Sequence, residues 1–171
     1  MKNTLFRLAN KLYEHCYPVY YPSYAVWKTL SDRRERALIR RLIRPGMTIA
    51  DIGANIGIYT RFFSGLTAAS GFVHAFEPAP LNYRRLKENT KYLANVSLNQ
   101  AAVGDRSGNI RLFVSDELNV DHRTFDSGDG RQVIDVPLVS LDEYFTVGQR
   151  VDLIKIDVCL LYTSPSPRDQ R

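Results

Sequence analysis

Apolar and polar positions along this chain change rhythm at Met47. From there, short apolar runs take turns with segments of helical period. Thr48 to Ile52 reads as a strand, "GANIG" as a glycine turn, and the stretch to about Leu66 as a helix. Phe72 to Phe76 is a second strand. Leu81 to Leu93 is a helix with Leu81, Leu86, Asn89 and Leu93 along one side, and Val96 to Gln100 is a third strand. Strand, helix, strand, helix, strand is the order of a parallel sheet with helices packed on its faces. The texture then loosens. Strands are expected at Ile110 to Val114 and near Val133 to Val136, with a polar loop, Ser115 to Gln132, between them. "SLDEYF" predicts a short helix, with Ser140 as N-cap and Glu143 completing a capping box. Val151 to Ile156 is the fourth parallel strand.

Ahead of Met47 the pattern is helical. Leu5, Leu8, Ala9, Leu12, Tyr13 and Cys16 fall on one face. "YPVYYPSYAVW" predicts an aromatic loop, because Pro18 and Pro22 interrupt a helix. Ser31 then serves as N-cap for a second helix that carries Ala37, Leu38, Arg41 and Leu42 and stops at "RPGM". The chain thus divides into a helical segment, 1–46, and an α/β domain from 47 to 158.

Charge sharpens that division. Residues 1–46 hold ten Lys and Arg against Glu14, Asp32 and Glu35, within a net charge of +5, so the remainder is slightly acidic. A basic segment on an acidic body allows peripheral contact with an anionic membrane, nucleic acid or a charged substrate; solvated helix faces account for the same charges. No aromatic-plus-basic RNA motif accompanies it, and no nucleic-acid partner is expected. Two cysteines, Cys16 and Cys159, make neither a disulfide framework nor a metal-ligand spacing. No apolar run reaches 18 residues, and Arg7, Asn10 and Lys11 break the N-terminal stretch that a signal peptide would need. A cytoplasmic location is the expectation.

The candidate chemistry lies in "TIADIGANIGIYTRFF". A buried strand ends at Asp51, turns through Gly53, Ala54, Asn55, Ile56 and Gly57, and enters a helix. Glycines there allow positive φ and close approach of a ligand to the backbone, and the helix start offers free N–H groups. A dinucleotide fingerprint needs a second glycine where Asn55 stands. A side chain at that place crowds a pyrophosphate but suits a nucleoside ligand without phosphates, such as S-adenosylmethionine. Glu77, 20 residues after Gly57, ends the next strand where an acid accepts hydrogen bonds from ribose hydroxyls. After the third strand, Gln100 to Ala102 would line an adenine slot, which adds Gln100 and Ala101 to the candidate cofactor residues. Asp157, at the end of the fourth parallel strand, is the candidate catalytic group. His122 is a loop histidine that could act as a base, although such residues are more often surface groups. His74 shares a strand face with Phe72 and Phe76 and reads as structural. No metal-ligand cluster is evident. The rival readings are an NAD-dependent oxidoreductase of the same sheet type and a non-enzymatic, membrane- or nucleic-acid-associated module.

"PGMTIADIGANIGIYT", "FVHAFEPAP", "AAVGDRSGNIRLFV" and "VDLIKIDV" resemble the FkbM-type methyltransferases, a branch of the S-adenosylmethionine-dependent Rossmann-like enzymes. The resemblance runs from about Arg36 to Asp157. It implies a class I methyltransferase sheet with strand order beginning 3-2-1-4, preceded by the N-terminal helices. It also implies O-methylation of a hydroxyl on a sugar, glycolipid or secondary metabolite. By the same resemblance Asp51, Gly53, Asn55 and Gly57 form the methionine-side turn, Glu77 takes the ribose, and Asp157 sits beside the sulfonium. Family members continue after "KIDV" with an acid, a glycine and a helix; this chain reads "CLLYTSPSPRDQR". That string looks like an in-frame translation of a sequencing-library adapter. Residues 159–171 are therefore read as a non-native tail on an incomplete domain, and the chain as written is expected to be an inactive or poorly folded fragment.

Overall fold

The computed structural model describes residues 12–13, 15–114 and 131–157. The expected polar loop with His122, all but its last residues, and the tail from Cys159 lie outside the described residues, as do residues 1–11 and 14 of the helical segment.

Four short apolar runs make one parallel sheet. Strand β1 (Thr48–Ile52) pairs with β2 (Phe72–Phe76) on one side and β7 (Leu153–Ile156) on the other, and β3 (Val96–Asn99) completes the order β3-β2-β1-β7. This is the expected 3-2-1-4 beginning of a Rossmann-like methyltransferase sheet. The fourth parallel strand is seventh along the chain because β4 (Ala102–Gly104), β5 (Gly108–Val114) and β6 (Gln132–Ser140) form a separate sheet in the order β4-β6-β5. Register sets which side chains meet: Asp51 stands opposite Ala75 and Lys155, and Ile52 opposite Phe76 and Ile156. Side chains alternate along a strand, so Ile49, Asp51, Val73, Ala75, Leu153 and Lys155 share one face.

The helices bury that face. Helix α1 spans Tyr17–Ser31, α2 Arg33–Leu42, α3 Ile58–Thr67 and α4 Pro80–Thr90; α5, Leu141–Tyr144, is a single turn. Ile39 and Ile43 from the α2 end, Tyr59 and Phe63 from α3, and Ile49 and Val73 from the sheet form one buried cluster. Ala79, Ala102, Leu112 and Val136 form another under the second sheet. No helix among the described residues is long and apolar enough to cross a membrane.

Several local expectations change. The aromatic stretch is helix, not loop. Pro18 sits in the first turn of α1, where a missing N–H costs nothing. Pro22 lies inside the helix, a placement worth about 3 kcal/mol against it. Opposing that cost, Tyr13, Tyr17, Tyr20, Tyr21, Tyr24 and Trp27 recur at helical spacing. They make six ring pairs with centroids 5.2–6.2 Å apart, each contributing about 1 kcal/mol. Both prolines face solvent, which serves the freed carbonyl. Ser31 is the last residue of α1 and no cap; Asp32 is the pivot into α2, its carboxylate bonded by Tyr59 Oη at 2.9 Å and paired with Lys28 at 2.9 Å.

Helix α2 buries Arg36 and Ile39 and exposes Leu38 and Leu42. The Arg36 guanidinium lies 3.8 Å from the Phe62 ring centroid, which lets a cation enter an apolar contact. In α4 the buried line is Asn82, Leu86 and Thr90, and Leu81 is exposed. The polar members are satisfied there: Tyr13 Oη donates to Asn82 Oδ1 at 2.7 Å, and Thr90 Oγ1 to the Leu86 carbonyl at 2.7 Å. Ser140 precedes α5 as expected but forms no capping box, since its N–H donates to Ser107 Oγ at 3.1 Å instead. His74 is structural, as expected: its Nδ1 is 3.0 Å from Tyr144 Oη, and Phe72, Tyr144 and Phe145 surround its ring.

One side chain joins α3 to the entry of β3. Asn95 accepts from Ser64 Oγ at 2.6 Å and donates to the carbonyls of Ser64 and Ala68 at 3.2 and 2.8 Å. Replacing Asn95 with alanine leaves a helix end unanswered. Urea unfolding of Asn95→Ala is expected to show a loss of about 2 kcal/mol, the cost of stranding partly buried polar groups.

Candidate active site

The turn after β1 takes the backbone shape its sequence suggests. Gly53, Asn55 and Gly57 have φ of +72°, +51° and +86°, and the N–H groups of Gly53 and Ala54 both donate to the Phe76 carbonyl, at 3.0 and 2.9 Å. A Cβ on Gly53 would collide with the Asp157 carbonyl oxygen, and one on Gly57 would stand 2.7 Å from Leu86 Cδ1. Gly53 is therefore required twice over, by φ and by space, and Gly57 by φ.

Glu77 meets this turn directly. Its Oε2 accepts the Asn55 N–H at 2.8 Å and its Oε1 the Ala79 N–H at 3.0 Å. Burial pushes its carboxyl up to about 7, against the pull of the Ala79, Asn55 and Asn82 hydrogen bonds and the Lys155 charge. The acid at the end of β2 and the bend after β1 thus lie on the same rim of the sheet, as the reading of the sequence requires.

The remaining strand ends close a hollow of about 760 Å³ whose wall includes Ile52, Gly53, Phe76, Pro78, Ala101, Ala102 and Asp157. Ala101 is on that wall as expected. Gln100 is exposed and is not part of it, because β3 ends at Asn99 and the next residue turns outward. Ala54 packs with Ala75 and Leu86 and supports the turn from behind. Asp157 stands at the end of β7, held by its N–H to the Ile52 carbonyl at 3.0 Å, with its side chain 59% exposed.

Asp51 is fully buried. Thr60 Oγ1 donates to its Oδ2 at 2.6 Å, and the Lys155 ammonium is 3.1 Å from its Oδ1, an ion pair without aligned hydrogen-bond geometry. Lys155 also donates to the Gly53 carbonyl at 3.1 Å and stands 3.6 Å from Asp157 Oδ2. Sequence reasoning missed Lys155. The signal was present in "LIKI": a lysine on the inward face of an otherwise apolar strand needs an acid beside it.

Helix α1 covers the turn from outside. Tyr20, Tyr21 and Tyr24 pack with Ile56 and Ile58, and Asn89 Nδ2 joins Tyr17 Oη and the Ile56 carbonyl at 2.6 and 2.7 Å. Burial, followed by the charges of Asp157 and Asp32, raises the Tyr24 hydroxyl above its ordinary range.

A family model for the methyltransferase FkbM domain matches residues 51–158, from the buried acid of β1 to just past Asp157. The chain belongs to this family. A curated relative, "31-O-demethyl-FK506 methyltransferase FkbM" of Streptomyces tacrolimicus, is 38% identical over 71 residues, which cover 41% of this chain and 27% of the relative. The match therefore spans about a quarter of that relative's length. Among solved structures, a SAM-dependent methyltransferase from Aquifex aeolicus is similar with a TM-score of 0.37 and 21% identity, over 48% of this chain and 44% of that one. Aeropyrum pernix fibrillarin with bound S-adenosyl-L-methionine is similar with a TM-score of 0.34 and 23% identity, over 39% and 30% of the two chains.

Two outcomes test the geometry without a ligand. Gly53→Ala forces a Cβ against backbone at positive φ, and thermal unfolding is expected to show a loss of roughly 2 kcal/mol or more. Between about pH 5 and about pH 7 the folded chain keeps on Glu77 a proton that the unfolded chain releases. Stability therefore falls as pH rises through that window. Glu77→Gln flattens this slope in urea titrations taken at a series of pH values; an unchanged slope would remove the buried acid from the account.

Proposed function

We propose that this chain binds S-adenosylmethionine at the rim formed by the glycine turn, Glu77, Ala101 and Asp157. In the whole enzyme the site would serve O-methylation of a hydroxyl on a sugar, glycolipid or secondary metabolite. The observation that carries this reading is the direct meeting of Glu77 with the Asn55 N–H beside a hollow lined by Gly53, Ala101 and Asp157. The donors fit such a ligand. Glu77 accepts hydrogen bonds from Asn55, Ala79 and Asn82, and the acceptor capacity of a carboxylate, about four positions, leaves room for a ribose hydroxyl. The small, apolar Ala101 suits the face of an adenine. Gly53 lines the hollow, where its backbone can meet the methionine portion. Asn55 in place of a second glycine favours a ligand without a pyrophosphate over NAD.

When bound, the cofactor supplies an electrophilic methyl carbon on a positively charged sulfur. The chain's own part is to align and to manage charge. Asp157, exposed at the strand end, is placed to face that positive charge or to take the proton that an acceptor hydroxyl loses as its oxygen gains the methyl group. The name of the 38% identical relative supports oxygen as the acceptor atom.

Isothermal titration of the 171-residue chain separates the readings. Heat of binding is expected with S-adenosylmethionine and with S-adenosylhomocysteine, and none with NAD. Affinity should weaken as pH falls below about 7, where Glu77 gains a proton and loses acceptor capacity, and Glu77→Gln should weaken it about tenfold at neutral pH. Binding of NAD in place of both sulfur ligands would refute the assignment.

A further inference from the structure

Lys155 lies where three separate pieces of the rim converge. Its ammonium is 3.1 Å from the buried Asp51 carboxylate, 3.1 Å from the Gly53 carbonyl and 3.6 Å from Asp157 Oδ2, and its side chain is only 13% exposed. Burial of Asp51 accounts for the first contact, since a carboxylate with no exposed surface requires a compensating charge. It does not account for the others. The strand could have met Asp51 with an ammonium pointing away from the rim, yet the same nitrogen holds the turn that follows β1 and reaches toward the exposed acid that ends β7.

We infer that Lys155 is a positioning residue that sets how strongly this site prefers a positively charged ligand over a neutral one. The Asp51–Lys155 pair is neutral as a whole, but its positive end is the one directed at Asp157. Asp157 therefore meets a ligand's cation with part of its field already answered, and its carboxylate is held at the hollow's edge by an attraction from behind. A site tuned in this way binds a sulfonium without holding it so tightly that charge loss at sulfur produces a large change in affinity. The inference rests on the reading of the rim as an S-adenosylmethionine site and deepens it, by assigning the charge selectivity of that site to a residue outside the hollow's wall.

The test compares two ligands that differ by one methyl group and one charge. Dissociation constants of S-adenosylmethionine and the neutral S-adenosylhomocysteine are measured by titration calorimetry on the full chain. The same is done for Asp157→Asn and for the paired variant Asp51→Asn/Lys155→Gln, which removes both buried charges and keeps a donor for the Gly53 carbonyl. The preference for the cation is expected to rise about tenfold in the paired variant and to fall about tenfold in Asp157→Asn. A role limited to structure would shift both ligands alike, so an unchanged ratio in the paired variant, with Asp157→Asn still lowering it, overturns the role of Lys155 and leaves the cofactor assignment standing. Wild-type chain that binds neither ligand overturns both. Should the glutamine version unfold, Asp51→Asn/Lys155→Met carries the same expectation, with circular dichroism confirming its fold.

Discussion

A carboxylate sealed inside the protein ties together two strands and the helix that follows the glycine turn. Asp51 has no exposed surface, and an unpaired charge there would cost several kcal/mol. Thr60 from α3 and Lys155 from β7 answer it. Each answer fixes something else. The Thr60 bond sets the rotation of α3 just after the glycine turn, and the Lys155 contact locks β7 in register beside β1, with Asp51 directly opposite Lys155. The placement of the turn relative to Asp157 follows from that lock.

Around it the fold supplies walls. The second sheet, with Ala102 and Leu138, closes one side of the hollow. The aromatic helix α1 closes the outside of the turn, with Tyr17 and Asn89 connecting it to α4 through hydrogen bonds rather than through apolar contact alone. The family match begins at Asp51, so α1 and α2 lie ahead of the matched residues. Their packing on Ile56 and Ile58 is nevertheless continuous with the turn.

The parallel sheet and its glycine turn were legible in the sequence because each rests on a local signal: apolar runs of strand length, and glycines where φ is positive. Glu77 was legible through spacing. Pairwise contacts across the fold were not. Lys155 needs its neighbour Asp51, 104 positions earlier, to make sense, and no periodicity displays that. The aromatic helix was missed because two prolines outweighed a ring spacing of three and four that was equally visible. Nor does the sequence of α2 display that Arg36 takes the interior by lying on the Phe62 ring. Gln100 was assigned to the wall because the strand was drawn one residue too long.

The hydrogen bonds of Glu77 have a thermodynamic meaning. Its oxygens engage the Asn55 and Ala79 amides, so the protein's own donors hold the side chain in one pose. Any further partner meets an acid whose rotamer is already chosen, and the entropy of ordering that side chain is lost on folding rather than on recognition.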